Sequence, residues 1–194
     1  MKTKQLVSAT VAAFLLATPS AFAENNKHNF ILDIANIDVD QEFGNVTYLG
    51  NDSSIFVGLG YAYQIDISDS LFVKPKVIFY LSDMDINDTD GTSDKSNLSS
   101  MSSYLVDVGY NQNKFSYYGT VGVTSATYER TVSNSVSSAS DAALTYGFGI
   151  GYNINDKTAI DLGYQATDLE YNSISGAMYD ISLSNVKLGF AYKF

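Results

Sequence analysis

The chain has 194 residues, enough for one domain, and it contains no cysteine, which excludes a disulfide framework and thiol chemistry. Only 16% of the residues are charged, whereas there are 15 Tyr, 11 Phe and 14 Gly, a composition typical of strands and turns rather than helices. The formal charge of −10 argues against nucleic acid as a partner, because binding to phosphates needs basic clusters.

The N-terminal segment has the pattern of an export signal. Two lysines precede an apolar run at 6–19, and Ala21 and Ala23 supply the small residues of a cleavage site. The run is too short for a spanning helix, which needs about 20 apolar residues. We therefore expect a signal peptide at 1–23 and a mature domain at 24–194. Loss of the two lysines would leave nine basic against 21 acidic residues, a formal charge of −12.

Alternation of apolar and polar residues with a period of two predicts an all-β fold of eight strands. The predicted strands are 29–37, 54–65, 71–81, 101–110, 115–129, 142–154, 158–168 and 180–194. Their connections alternate between short turns (66–70, 111–114 and 155–157) and long polar segments (38–53, 82–100, 130–141 and 169–179). This alternation predicts an antiparallel up-and-down transmembrane β-barrel, with short periplasmic turns at one end and long extracellular loops at the other.

The two faces of the predicted strands differ in size and polarity. One face is large and apolar, and the other is rich in glycine and also carries charges: Asp33, Lys74, Lys76, Asp107, Asp161 and Lys187, with Lys193 near the rim. A lysine facing the bilayer centre would cost about 2–4 kcal/mol. We therefore predict that the charged face points inward, where the charges pair in a plugged polar interior narrow enough to need glycine. Pro75 predicts a bulge or a kink in the third strand, because proline donates no ladder hydrogen bond.

The last strand alternates strictly and ends on an aromatic residue. Its large residues include Leu188, Phe190, Tyr192 and Phe194. This segment resembles the closing strand of bacterial outer-membrane barrels, in which such a terminus is the signal read by the insertion machinery. We expect it to close the barrel by pairing with the first strand.

The hairpin at 149–164 (GIGYNINDKTAIDLGY) and the closing segment 185–194 are similar to the last strands of small eight-stranded outer-membrane barrels, namely the OmpA transmembrane domain, OmpX/Ail and related porin-family surface proteins. The resemblance implies a monomeric, non-enzymatic barrel in the outer membrane, without a cofactor. Its expected partners are membrane lipid, lipopolysaccharide, the barrel assembly machinery and a host or surface ligand bound by the loops.

One acidic loop has part of a calcium-binding pattern. Its candidate ligands Asp83, Asp85, Asn87 and Asp94 fall at positions 1, 3, 5 and 12 of a calcium-loop spacing. However, Asp88 stands where the motif has its turn glycine, and no helices flank the segment. A solvated acidic loop is the favoured interpretation.

The sequence favours a non-enzymatic surface protein that presents acidic loops. Three other functions compete with this prediction. A periplasmic or secreted lipocalin-like carrier would turn its apolar face inward around a small apolar ligand. A small pore would use the inner charges as an ion path. A lipid A-modifying enzyme would need His28 as a base beside an activated serine, and the sequence offers no convincing serine.

Overall fold

A computed structural model describes residues 27–43, 47–86, 95–132, 135–172 and 178–194. These residues form nine strands: β1 (Lys27–Phe43), β2 (Thr47–Asp66), β3 (Leu71–Tyr80), β4 (Met84–Ile86), β5 (Lys95–Gln112), β6 (Phe115–Val132), β7 (Ser135–Asn153), β8 (Thr158–Asn172) and β9 (Met178–Lys193). In this part of the chain, no helix is long and apolar enough to cross a membrane.

The strands close into one antiparallel barrel. Their order is β3-β2-β1-β9-β8-β7-β6-β5-β4, and β3 also pairs with β5. Because β3 and the short β4 both lie beside β5, they occupy one position in an eight-stranded ring. The first and last strands pair from Asn29↔Lys193 to Phe43↔Tyr179. The predicted eight-stranded barrel, closed between its first and last strands, is confirmed.

Three short connections lie at one end of the barrel, called here the turn end: 67–70, 113–114 and 154–157. Asn113 adopts a positive φ of 56°, a left-handed conformation that asparagine tolerates better than most residues. The opposite end, called here the loop end, holds the connections that were predicted to be long.

The strands run further toward the loop end than predicted, through most of the segments expected to be loops. β1 continues to Phe43 and β2 begins at Thr47, so both extend into the predicted loop 38–53. The strand pattern persists there, but its polarity inverts. In β1 the exposed outward residues change from Phe30 and Ile34 to Asn36, Asp38, Asp40 and Glu42, while the inward ones become Ala35, Ile37 and Val39.

The inverted segments enclose an apolar core inside the loop-end half of the barrel. Its fully buried members include Phe56, Ile78, Leu98, Leu169 and Ile181. The sequence predicted the polar part of the interior around the inward charges but not this apolar core. The physical reason is that strands extending beyond the apolar outer band meet water, so they bury their apolar side chains inward as a soluble barrel does.

The predicted bulge at Pro75 is absent from the described β3. The register with β2 is the same on both sides of it, with Ala62↔Lys76 before and Ile65↔Val73 after. Only the ladder between these pairs is interrupted, which accommodates the missing donor without inserting a residue.

Candidate functional site

The first cluster of inward charges surrounds Asp107 of β5, whose side chain is fully buried. Lys76 Nζ of β3 lies 2.7 Å from Asp107 Oδ1 and 2.9 Å from Oδ2, and Lys74 Nζ lies 3.3 Å from Oδ2. Thr120 of β6 donates its hydroxyl to Asp107 Oδ1 at 2.7 Å. A buried carboxylate is thus compensated by two cations and a neutral donor from neighbouring strands.

The second cluster lies across the closing seam of the barrel. Lys187 of β9 donates to Asp33 Oδ2 of β1 at 3.2 Å and lies 3.8 Å from Asp161 Oδ1 of β8. Lys187 and Asp33 are buried, and Asp161 is 17% exposed at its side chain. The structure therefore brings together Asp33, Asp161 and Lys187 in one group and Lys74, Lys76 and Asp107 in another.

Tyr118 of β6 connects the two clusters, and the sequence interpretation missed it. Its hydroxyl donates to Asp161 Oδ1 at 2.6 Å, while Lys74 and Lys76 lie 5.2 and 5.4 Å from its ring centroid. Cations are attracted to the face of an aromatic ring, so Tyr118 contacts both groups across the lumen. Its place on the polar face of β6, beside Thr120, was the available signal.

Inward glycines make room for these side chains. A Cβ on Gly149, the register partner of Tyr118, would lie 2.4 Å from the Tyr118 ring. A Cβ on Gly189 would lie 2.1 Å from Asp161 Oδ2 and 2.8 Å from Asp33 Oδ1. All three distances are far below van der Waals contact, so the network needs glycine at these positions.

A belt of hydroxyls lies between the charges and the apolar core. Ser103 and Thr124 are 2.8 Å apart, and Thr145 lies 2.7 Å from both Thr124 and Thr167. All four side chains are buried and together they link β5, β6, β7 and β8. The belt satisfies polar groups at the depth where the interior changes from charged to apolar.

The lumen is wide at the turn end. A cavity of about 720 Å³ opens there, lined by residues such as Asn29, Lys74, Tyr118 and Lys193. A separate small void of about 20 Å³ lies among Asp33, Lys76 and Lys187. Lys193 lines the cavity, where its Nζ donates to Asn153 Oδ1 at 2.6 Å.

The terminal strand turns its large residues outward. Leu188 is 55% exposed, Phe190 41%, Tyr192 42% and Phe194 67%. His28 contacts this terminus, because its ring stacks on Phe194 at 5.9 Å and its carbonyl accepts from the Phe194 N–H at 3.1 Å. The His28 ring also hydrogen-bonds the Tyr61 hydroxyl, so its described partners are tyrosine and phenylalanine, with no serine among them.

The calcium candidates are only partly described. Asp83 and Asp85 are exposed, and Asp85 Oδ1 accepts from Asn97 Nδ2 at 3.1 Å, whereas Asn87 and Asp94 lie outside the described residues. Within the described ranges, no group of three or more histidine or acidic residues is placed to hold a metal ion.

Carboxylates gather on the outward face of β8, β9 and β1 at the loop end. Asp180 of β9 pairs in register with Glu42 of β1 on one side and with Glu170 of β8 on the other. One row nearer the turn end, Ser182 lies between Asp40 and Asp168 in the same way. We call these five acidic residues, Asp40, Glu42, Asp168, Glu170 and Asp180, the acidic face.

The outward surface below this face is an apolar band. Val121, Phe148, Leu162 and Leu188 are each about half exposed or more. A model of the outer membrane protein beta-barrel domain matches residues 8–194. The chain belongs to this family. An outer-membrane barrel turns such a band toward lipid, and a lipocalin-like carrier, which would keep these side chains inside, is not supported.

Three solved structures have the same fold. Neisserial surface protein A is 14% identical, with a TM-score of 0.59 over 88% of this chain and 100% of that chain. OprG from Pseudomonas aeruginosa is 13% identical, with a TM-score of 0.57 over 87% and 96%. Ail, the attachment invasion locus protein of Yersinia pestis, is 16% identical, with a TM-score of 0.56 over 87% and 99%. No curated protein matches the sequence.

Proposed function

We propose that this outer-membrane barrel is a non-enzymatic surface protein, closed to permeation, whose loop-end half lies outside the cell and binds a cationic partner. The observation that carries the proposal is the acidic face, and above all the row Glu42–Asp180–Glu170. Residues directly opposite each other on neighbouring strands have Cβ atoms about 4.5–5.5 Å apart, and like charges there are destabilising. A cationic partner would relieve this repulsion.

The closed interior is supported by three layers stacked along the lumen. The paired charges around Asp107 and Lys187 enclose a void of only about 20 Å³, the hydroxyl belt follows, and the apolar core lies in the loop-end half. An ion crossing this path would have to separate buried ion pairs and then enter an apolar region, both of which are costly. We expect negligible conductance of the purified protein in planar bilayers, and a steady ohmic conductance would overturn this part of the proposal.

The charge of the acidic face also indicates the charge of its partner. One structure of Ail, 15% identical with a TM-score of 0.55, is of its complex with the heparin analogue sucrose octasulfate. A polyanion would be repelled by the carboxylates of the acidic face, so we do not expect this chain to share that ligand. A segment rich in lysine or arginine has the complementary charge.

The test uses a matched pair of triple variants. The first replaces Glu42→Gln, Glu170→Gln and Asp180→Asn on the acidic face. The second replaces the same number of carboxylates at the turn end: Asp66→Asn, Asp69→Asn and Asp156→Asn. Both remove the same charge, so a difference between them reports position and not net charge. The probes are an oligolysine peptide and heparin, added to protein in lipid nanodiscs.

Oligolysine should bind the parent protein and the turn-end variant and should lose most of its affinity for the acidic-face variant. Binding should also weaken as salt is raised, because exposed charges are screened over about 10 Å at 0.1 M. Heparin bound more tightly than oligolysine, or equal oligolysine affinity for the two variants, would contradict the proposal.

A further inference from the structure

One glycine of the apolar band lies on the outer face of the barrel instead of the lumen. Gly119 of β6 is exposed, and a Cβ there would meet only the Gly147 carbonyl at 4.0 Å. The inward glycines make room for luminal side chains, but this reason does not apply on the outer face. Glycine weakens a strand interior, and it often marks a place where a ligand or another backbone approaches closely. A close approach from outside the barrel would account for glycine at this position.

Gly119 lies on the floor of a groove of about 520 Å³ in the outer wall. Its register partners, Val108 of β5 and Phe148 of β7, form the two sides of the groove. The axes of these two strands are about 10 Å apart, because two strand spacings separate them. None of the described residues that line the groove is charged, and its remaining large side chains lie one row nearer the turn end: Leu71, Tyr110 and Tyr117.

The aromatic sides of the groove are held in place by neighbouring rings. The Tyr117 ring packs on Phe115, with centroids 6.5 Å apart and planes inclined by 25°. The Phe148 ring packs on Tyr164 of β8 with centroids 5.9 Å apart. Both neighbours lie on the side away from Gly119, so these contacts support the rings from behind and leave the groove open. A groove that is already formed costs less to occupy than one that must be ordered by its ligand.

We propose that this groove binds one acyl chain of a phospholipid from the leaflet at the turn end, with the chain lying against the Gly119 backbone. The groove is continuous with the apolar band that faces lipid, so hydrocarbon is the material beside it. The ladders of β5 with β6 and of β6 with β7 are complete across the groove, which leaves no unpaired backbone edge for a polar ligand. Within lipid, association depends on van der Waals packing and hydrogen bonds, and the groove surrounds a chain on three sides.

Two tyrosines at the turn-end edge of the groove favour a phospholipid over a plain hydrocarbon. Tyr110 is 46% exposed and Tyr117 45%. Tyrosine rings of membrane proteins concentrate at the level of the headgroups, and a tyrosine hydroxyl can donate to a phosphate oxygen. The outer wall of a second barrel is convex and would cover the groove without entering it. The shape therefore favours a single chain over a second copy of this protein.

Photolabelling of the protein in lipid nanodiscs locates the bound chain. The probe is a phosphatidylcholine with a diazirine on one acyl chain, diluted into unlabelled phosphatidylcholine. Peptide mass spectrometry compares the label on Val108 and Phe148 with the label on Leu162 and Leu188, which lie on the outer face of β8 and β9. The groove should carry an excess of about fivefold, which corresponds to a binding preference of about 1 kcal/mol.

Two leucine variants separate the groove from the rest of the outer face. Gly119→Leu fills the groove, and the open space around the added Cβ allows the barrel to fold. Val121→Leu adds bulk two residues along the same face of β6, outside the groove. Heat-dependent gel mobility checks the folding of both. The excess label should disappear in Gly119→Leu and persist in Val121→Leu. Phe148→Ala, which removes one side of the groove, is a second variant in which the excess on Val108 should disappear.

The headgroup is tested with a second probe, a diacylglycerol that carries the same diazirine chain. The parent protein should be labelled in the groove more strongly by the phospholipid than by the diacylglycerol. The double variant Tyr110→Phe/Tyr117→Phe keeps both rings and removes both hydroxyls, so it should label equally with the two probes. Equal labelling of the parent protein would show that the groove does not select a phospholipid.

Uniform labelling of the parent protein, or an excess that survives Gly119→Leu, would overturn the inference. Gly119→Cys tests a second copy as the occupant, because the chain has no other cysteine. If oxidation in native membranes links this variant into dimers while Leu162→Cys stays monomeric, a second copy covers the groove and the inference is wrong. The proposed function depends on the acidic face, so none of these outcomes affects it.

Discussion

Lys187 and Asp33 form a buried ion pair across the junction between β9 and β1, with Nζ 3.2 Å from Oδ2 and a sequence separation of 154. The pair forms only when the first and last strands meet, so closure of the barrel and compensation of these two charges depend on each other. Before closure each group can remain hydrated, whereas afterwards a charge without its partner would be buried alone.

The variant Lys187→Met should lower the free energy of unfolding by about 3–5 kcal/mol, because it leaves Asp33 buried without its cation. The double variant Asp33→Asn/Lys187→Met should recover part of this loss. Urea titration of the folded form, followed by its heat-dependent gel mobility, measures both. Lys157→Met in an exposed turn is the control and should change little. An equal effect of the two lysine variants would show that the ion pair contributes nothing.

Gly189→Ala should destabilise the barrel by about 1–3 kcal/mol, since its Cβ would meet the carboxylates of Asp161 and Asp33 within 2.8 Å. Gly119→Ala is the matched control. Gly119 is exposed on the outward face of β6, and its Cβ would meet only the Gly147 carbonyl at 4.0 Å. Alanine there should be neutral or stabilising by up to about 1 kcal/mol, because glycine weakens a strand interior. The same urea titration compares the two, and a harmless Gly189→Ala would contradict the tight packing described for the charge network.

The loop-end core predicts that alanine substitutions at two neighbouring residues of β2 differ in their cost to stability. Phe56 is fully buried in the core, and Ile55 is 64% exposed on the outer face. Phe56→Ala should cost about 3–5 kcal/mol, the usual range for a buried aromatic residue, whereas Ile55→Ala should cost about 1 kcal/mol or less. Comparable losses from the two substitutions would argue against an apolar interior in this half of the barrel.

Two changes at the C-terminus distinguish an effect on assembly from an effect on stability. If Phe194 is part of an insertion signal, its deletion should reduce the amount of folded protein in the outer membrane of cells. His28→Ala removes the ring stacked on Phe194 but keeps the terminal residue. This variant should reach normal levels and lose only about 0.5–1.5 kcal/mol of stability, as expected for one aromatic pair. Normal levels of the truncated protein would refute the signal, and reduced levels of His28→Ala would attribute the effect to barrel closure.

Much of the architecture follows from the sequence because lipid penalises polar groups only on the outer face of the barrel. Strict alternation in segments such as 186–194 predicts strands, and the cost of a lysine in the bilayer decides which way Lys187 and Leu188 point. The structure agrees, with Lys187 buried and Leu188 more than half exposed. The inward glycines were predictable as a class for the same reason, since a narrow barrel has little room for side chains.

The exchange of polar and apolar faces at the loop end was not predictable from the cost of polar groups in lipid. A strand that passes from lipid into water keeps its period of two while its faces exchange character, as β1 does between Ile34 and Asn36. A search for one apolar face stops at that point and assigns the remainder to a loop. The sequence pattern therefore predicts a connection around Val39, whereas the Val39 side chain is fully buried in the core.

The sequence by itself determined the strand pattern, the closure between the first and last strands, and which residues face outward within the apolar band. Each depends on local alternation and on the cost of placing a charged side chain in lipid. The tertiary structure alone decided which cation compensates which acid, that Tyr118 connects the two clusters, and that the ladder between β7 and β8 ends at Thr145 and Thr167. These features depend on strand register, which sets residues far apart in the chain side by side and cannot be read from the period of any single strand.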